Sequence, residues 1–153
     1  WKVSFRNETT VRLSPKKFFV DPSIGTTLLN IKPNKLVMNF DLYSKLFKNL
    51  VYRDLNVYAN SFGGRVDYYQ DRYDLKSDFI IHLDNDETAL VDVQLSDHEI
   101  EESIKNLLKI KKLINKEKSV EKDPKAMIII TAGTKAYKTE DGIYVIPIGC
   151  LKN

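Results

Sequence analysis

The chain has a single cysteine, Cys150. One thiol cannot build a disulfide framework within the chain or a cysteine-based zinc site, and a reducing, cytoplasmic setting is the expectation. Glycine and proline are sparse, at 6 and 5 residues, while 42% of the residues are hydrophobic and 29% charged. That balance excludes wholesale disorder and gives enough apolar material for a core. No apolar run approaches the roughly 18–20 residues of a membrane span, and the opening WKVSFRNETT lacks a signal-peptide pattern, so no membrane partner is expected. Charge of one sign is not in large excess. The 24 Lys and Arg stand against 21 Asp and Glu, and net +3 is too mild to diagnose nucleic-acid binding. What is there is 153 residues, about one domain by the usual prior of roughly 100–200 residues. The chain opens on Trp1 and reads as an excised piece of something longer.

Residues 1–20 read as extended, with Pro15 suited to an edge or connector. Asp21-Pro22 reads as a helix start, Asp as N-cap and Pro at the first helical position, for a short helix over about 22–30. Pro33-Asn34 begins another short turn. Asp41 is the expected N-cap of a long helix over about 42–62. Its apolar residues Tyr43, Phe47, Leu50, Val51, Leu55, Tyr58 and Phe62 recur at spacings of three and four. Gly63-Gly64 ends it with a left-handed cap.

Three strand-like runs follow, RVDYYQD (65–71), SDFIIHL (77–83) and TALVDVQL (88–95), with the turn signal DNDE at 84–87. Short connections make them antiparallel neighbours. In the third run Leu90, Asp92 and Gln94 share one face, and Val91, Val93 and Leu95 the other. Asp97 is the expected cap of a second long helix, about 98–117, with Ile100, Ile104, Leu107, Leu108 and Ile114 as its buried stripe. Acids in its first turns and lysines later suit the helix dipole. AMIIITA (126–132) reads as a strand buried on both faces. Residues 135–148 read as a hairpin about Glu140-Asp141-Gly142. The passage from 88–95 through the helix to 126–132 is a βαβ unit, which makes those two strands parallel. The fold class is therefore α/β, a central mixed sheet flanked by helices.

Folding the hairpin about residues 84–87 pairs positions summing to about 171. Asp78 then lies opposite Asp92 or one residue away, with facing side chains roughly 5–7 Å apart. Two carboxylates this close repel, and one tends to keep its proton unless a cation joins them. Mg²⁺ or Mn²⁺ would resolve the clash and activate a water for phosphodiester attack. Two solvated acids at strand ends is the bland alternative. Gln94, two residues beyond Asp92, stands where a lysine would complete D-x-K. It hydrogen-bonds but supplies no charge to a developing anion.

Other signals are weaker. His82 and His98 read as packed or solvated rather than ligating. Gly133-Thr134-Lys135 lacks the upstream glycine of a P-loop, so no ATP site lies within this chain. Tyr68, Tyr69 and Tyr73 beside Arg65 and Arg72 are a candidate base-stacking set, against plain core and rim.

The phrases SPKKFFVDPSI (14–24), LFKNLVYRDLNVYANSFGG (46–64), VDYYQDRYDLKSDFII (66–81), ALVDVQLSD (89–97), EIEESIKNLLKIKKLI (99–114) and TEDGIYVIPIGCL (139–151) carry a resemblance. The chain resembles the uncharacterised C-terminal domain of bacterial and archaeal AAA-like ATPases, a restriction-endonuclease-like module of the PD-(D/E)xK type. The resemblance implies a lead-in over residues 1–40, a nuclease-like domain over 41–153, and an N-terminal ATPase region of the same protein as partner. It also implies a site in which Asp78 is the metal-binding Asp and Asp92 the acid of (D/E)-x-K. Gln94 occupies the place of the Lys. Lys48 stands where relatives commonly place a helix Glu. Two of four polar positions are kept, one is neutralised and one reversed in sign.

Three readings follow. The first is a catalytically degenerate module serving binding or assembly, with Lys48 pairing Asp78 or Asp92 in place of a metal. The second is a working nuclease using Mg²⁺ or Mn²⁺, with Lys76 as substitute lysine. The third is a DNA-holding domain whose phosphate contacts come from Lys16, Lys17, Lys32, Lys35 and the lysines of the second long helix.

Overall fold

The computed structural model describes residues 16–71, 73–85, 87–116 and 123–151. Most of the extended lead-in read over 1–20, Arg72 and much of the loop read over 119–125 lie outside them.

Asp21 accepts from the Ser23 amide at 2.8 Å and Pro22 takes the first helical position, which starts α1 (Pro22–Leu28). The short helix α2 (Pro33–Met38) follows in the same way from Pro33. Helix α3 runs Phe40–Ser61 and is capped by Asn39, whose side chain accepts from the Leu42 amide at 3.2 Å. The expected cap, Asp41, lies instead in the first turn. Asn39 offers the same acceptor two residues earlier, and Asp41 pairs along the surface with Lys45 at 2.7 Å. The buried residues of α3 include Leu46, Phe47, Val51, Leu55 and Ala59, while Phe62, expected on the stripe, is exposed past the helix end. Gly63 takes a left-handed φ of 72° and the Gly64 amide returns to the Ala59 carbonyl at 2.8 Å, which ends the helix.

Strands β1 (Arg65–Gln70), β2 (Lys76–His82) and β3 (Thr88–Gln94) form an antiparallel meander. A single turn of 3₁₀-helix over Asp97–Glu99 leads into α4 (Ile100–Lys116). Asp97 is not the cap: Ser96 precedes the turn, and no side-chain cap bond forms there. Strand β4 (Ala126–Thr131) returns parallel to β3. Strands β5 (Tyr137–Lys138) and β6 (Tyr144–Pro147) are antiparallel to each other about a turn at Gly142, whose φ is 82°. The sheet order is β1-β2-β3-β4-β6-β5. Strand β6, not β5, takes the place beside β4 and runs parallel to it.

Alternation along the central strands gives the sheet two cores. Leu90, Ile80, Met127 and Ile129 pack with Leu107 and Ile110 of α4. Phe79, Val91, Val93 and Ile130 pack with Phe47 and Val51 of α3. Ile110, at the centre of the α4 stripe, was not among the residues expected there. Phe18 stacks on Tyr52 at 4.8 Å and leans on Phe79, so residues 16–19 lie as a strap over the α3 side. Asn49 fastens that strap. Its Oδ1 accepts from the Phe19 amide at 2.8 Å and its Nδ2 donates to the Phe19 carbonyl at 3.0 Å.

Candidate functional site

The β2–β3 ladder runs from His82↔Thr88 to Phe79↔Val91 and stops there. Strand β2 stays paired with β1 as far as Lys76. Its other edge would therefore leave buried backbone groups without partners, and side chains supply them. Asp92 Oδ1 accepts from the Asp78 amide at 3.3 Å, and Asp78 Oδ2 accepts from the Val93 amide at 3.1 Å. The Ser77 hydroxyl lies 3.0 Å from the Val91 carbonyl. The two carboxylates thus stitch the open end of the ladder, each 4% exposed.

Lys48 projects from α3 into this gap. Its Nζ donates to Asp78 Oδ2 at 2.7 Å. Lys16, from the strap, lies 3.9 Å from Asp78 Oδ1 and 4.9 Å above the Tyr68 ring. Burial pushes the Asp78 carboxyl up, but the ammonium groups of Lys48 and Lys16 outweigh it and hold the carboxyl below its ordinary value. Burial and the Asp78 charge push Asp92 up to about 7. Below that value and down to the ordinary carboxylate range, the pair therefore carries one negative charge, on Asp78. Burial also lowers Lys16, against the attraction of Asp78.

Gln94 points elsewhere. With its amide oxygen accepting from Ser103 of α4, its nitrogen reaches the Val93 carbonyl and Glu99 Oε2, both at 3.2 Å. It belongs to the β3–α4 joint. Lys76 is exposed at the start of β2, and among the described residues no ion pair or hydrogen bond ties it to either acid. The structure brings Asp78, Asp92 and Lys48 into one site and leaves Gln94 and Lys76 out of it. Sequence reading missed Asn49 and Ser103, both buried polar residues on otherwise apolar helix faces. That interruption of the stripe was the available signal.

The remaining candidates separate. Tyr68 and Tyr69 are buried within β1 and only Tyr73 is exposed, so the three do not form one stacking platform; Arg72 lies outside the described residues. His82 sits 3.4 Å from Asp67, its pKa lowered by burial, and His98 is exposed. Lys16 and Lys17 lie on the α3 side of the sheet. Lys105, Lys109 and Lys112 are exposed on α4, which covers the other side. The lysines do not form one phosphate track.

At Asp78 Oδ2 the Lys48 ammonium stands where a divalent ion would have to coordinate. Such an ion needs free carboxylate oxygens. Asp78 Oδ2 is taken by Lys48 and the Val93 amide, and Asp92 Oδ1 by the Asp78 amide. Among the described residues no group of three acids, histidines or cysteines converges on one point. An ammonium occupies the position facing Asp78. No helix among the described residues is long and apolar enough to cross a membrane.

In front of the pair opens a cleft of about 540 Å³ between the strap, α1 and α3, with Lys48 and Asp78 among its lining.

No curated protein and no solved structure matches the chain. Residues 43–151, spanning α3 through the turn after β6, match a family described as a domain of unknown function, DUF4143, and the chain belongs to that family.

Proposed function

We propose that this chain is a catalytically silent, nuclease-like module of an AAA-like ATPase, serving binding or assembly rather than hydrolysis. The nuclease-like and ATPase parts of the reading rest on the sequence resemblance. Support comes from two acids meeting at the open end of an antiparallel ladder beside a βαβ crossover. The observation that carries the silent reading is the 2.7 Å contact of Lys48 with Asp78. A fixed ammonium supplies the positive charge that the acid pair needs, but it brings no metal-bound water to act as nucleophile. Gln94, held by α4, adds no charge to stabilise a developing anion.

Divalent-ion titration tests this. A tight site stabilises by RT ln(1 + [L]/Kd), about 2.7 kcal/mol at 100 Kd. Melting unchanged in Mg²⁺ and Mn²⁺ is expected. A rise abolished by Asp78→Ala and by Asp92→Ala overturns the reading. The alternative, a metal-dependent nuclease hydrolysing phosphodiesters, is favoured by the placing of both acids at one ladder end, where Asp92 Oδ1 accepts from the Asp78 amide. It requires cleavage of plasmid or single-stranded DNA in Mn²⁺ above that of the Asp92→Ala protein.

A further inference from the structure

The cleft beside the Lys48–Asp78 pair has a surplus of positive charge. Lys16, Lys17, Lys45 and Lys48 line it, against the single carboxylate of Asp78. Lys45 is paired with Asp41 at 2.7 Å, and Lys48 has taken the nearer oxygen of Asp78. Lys16 is left at 3.9 Å from the other oxygen, with its side chain 26% exposed. Lys17 is exposed and has no ion pair among the described residues. Lys16 and Lys17 thus border the cleft with one loose ion-pair partner, Asp78, between them.

The rest of the wall is apolar. Phe19 and Leu29 line it and are 45% and 56% exposed, with Leu42 and Leu46 beside them. The floor at Gly25 is close-fitting, since a Cβ there would lie 3.1 Å from the Phe19 ring and 3.2 Å from Leu46. Directional polar groups are already used. Both ends of the Asn49 amide are bound to the Phe19 backbone, and Asp78 is held by Lys48. A sugar or nucleobase would bury donors and acceptors here without partners. A volume of about 540 Å³ is within the range of small-molecule sites.

We infer that this cleft binds a small organic carboxylate with a hydrocarbon body, its anionic end between Lys16 and Lys17 and its body against Phe19, Leu29 and Leu42. The proposal goes beyond the silent-nuclease reading and does not depend on it: divalent ions test that reading, and an organic anion tests this one.

Octanoate is the probe, titrated into the whole chain and followed by calorimetry or amide NMR. Octanol, octylamine, inorganic phosphate and adenosine monophosphate are the comparisons. Octanoate is expected to bind at least tenfold more tightly than octanol, with no binding of octylamine, and to shift amides of residues 16–29 and 42–49. Lys16→Gln and, separately, the exposed Lys17→Gln are each expected to weaken octanoate several-fold and leave octanol unchanged. Leu29→Gln is expected to weaken both. Equal binding of octanoate and octanol overturns the proposal, because only apolar contact would then be at work. Tighter binding of phosphate or the nucleotide than of octanoate overturns the ligand class. An octanoate affinity unchanged in both lysine variants overturns the placement.

Discussion

Lys48 and Asp78, thirty residues apart in sequence, meet with an ammonium 2.7 Å from a carboxylate oxygen at the point where the β2–β3 ladder gives out. The pair joins α3 to the sheet and holds charged the one acid that the buried site can accommodate as an anion. Replacing Lys48 by Met leaves Asp78 buried with only the looser Lys16. Lys48 is 28% exposed, so solvent screens part of the interaction. The expected loss is about 1–3 kcal/mol by urea unfolding. Adding Asp78→Asn to Lys48→Met removes the stranded charge and is expected to recover part of that loss. A Lys48→Met protein as stable as the parent would show the pair to be a bystander.

Asp92 sets a pH dependence whose sign is fixed by its environment. Its carboxyl is raised to about 7 by burial and by Asp78, against an ordinary 3.8. Between those values the folded state holds a proton that the unfolded state has released, so stability falls as pH rises through that window. Ionising it beside Asp78 costs on the order of a few kcal/mol by pH 8. Lys48 and Ser103 work the other way, since both favour the ionised form. The Asp78 carboxyl, lowered, contributes stability above its ordinary value that is lost on further acidification. His82, also lowered, contributes stability lost as pH falls below its ordinary 6.5. The difference between parent and Asp92→Asn isolates residue 92. Asp92→Asn is expected to be the more stable protein at pH 8, by a margin that shrinks toward pH 5. A pH-independent difference in unfolding free energy would refute the assignment.

The meeting of Asp78 and Asp92 was legible because a hairpin register needs only the turn position. The expected pairing sum of about 171 is 170 in the ladder, as in Phe79↔Val91. The βαβ crossover was legible for a similar reason, since 126–130 is an unbroken apolar run after an amphipathic helix. Side-chain capping was not legible. Asn39 competes with Asp41, and Ser96 with Asp97, over distances of one or two residues that composition does not resolve. Nor was the parallel seat of β6 beside β4 legible, because a hairpin pattern states which strands pair with each other and not which of them joins the sheet. Lys16 was read as a phosphate contact because its place near Asp78 depends on the strap, and the strap depends on Asn49.

Asn49 is 4% exposed and gives both ends of its amide to the Phe19 backbone. Asn49→Ala leaves that donor and acceptor unpaired at a half-covered position, at a cost of about 1–3 kcal/mol. The larger expected effect is local. Amide exchange in residues 18–29 should accelerate well beyond that in α4, since the strap loses the two hydrogen bonds that tie the Phe19 backbone to α3. Uniform acceleration across the chain would mean that the strap is not held at this point.

Gly63 and Gly64 have different reasons to be glycine, and alanine substitutions separate them. Gly63 sits at a φ of 72°, where an L-residue pays about 1–2 kcal/mol, and a Cβ would also meet the Asp84 carboxylate. Asp84 is an exposed turn residue, so its side chain can turn away. Asp84→Ala should therefore recover only the contact part of the Gly63→Ala loss. At Gly64 a Cβ would meet the backbone carbonyl of His82, the residue paired with Arg65 at the start of the β1–β2 ladder. No side-chain change at position 82 can move that oxygen. The strands themselves would have to part, a strain of about 1–3 kcal/mol. Gly64→Ala is accordingly expected to destabilise the protein with no rescue by His82→Ala, and to raise amide exchange first at Arg65 and His82. Rescue of Gly64→Ala by His82→Ala would place the obstruction in the imidazole instead of the main chain.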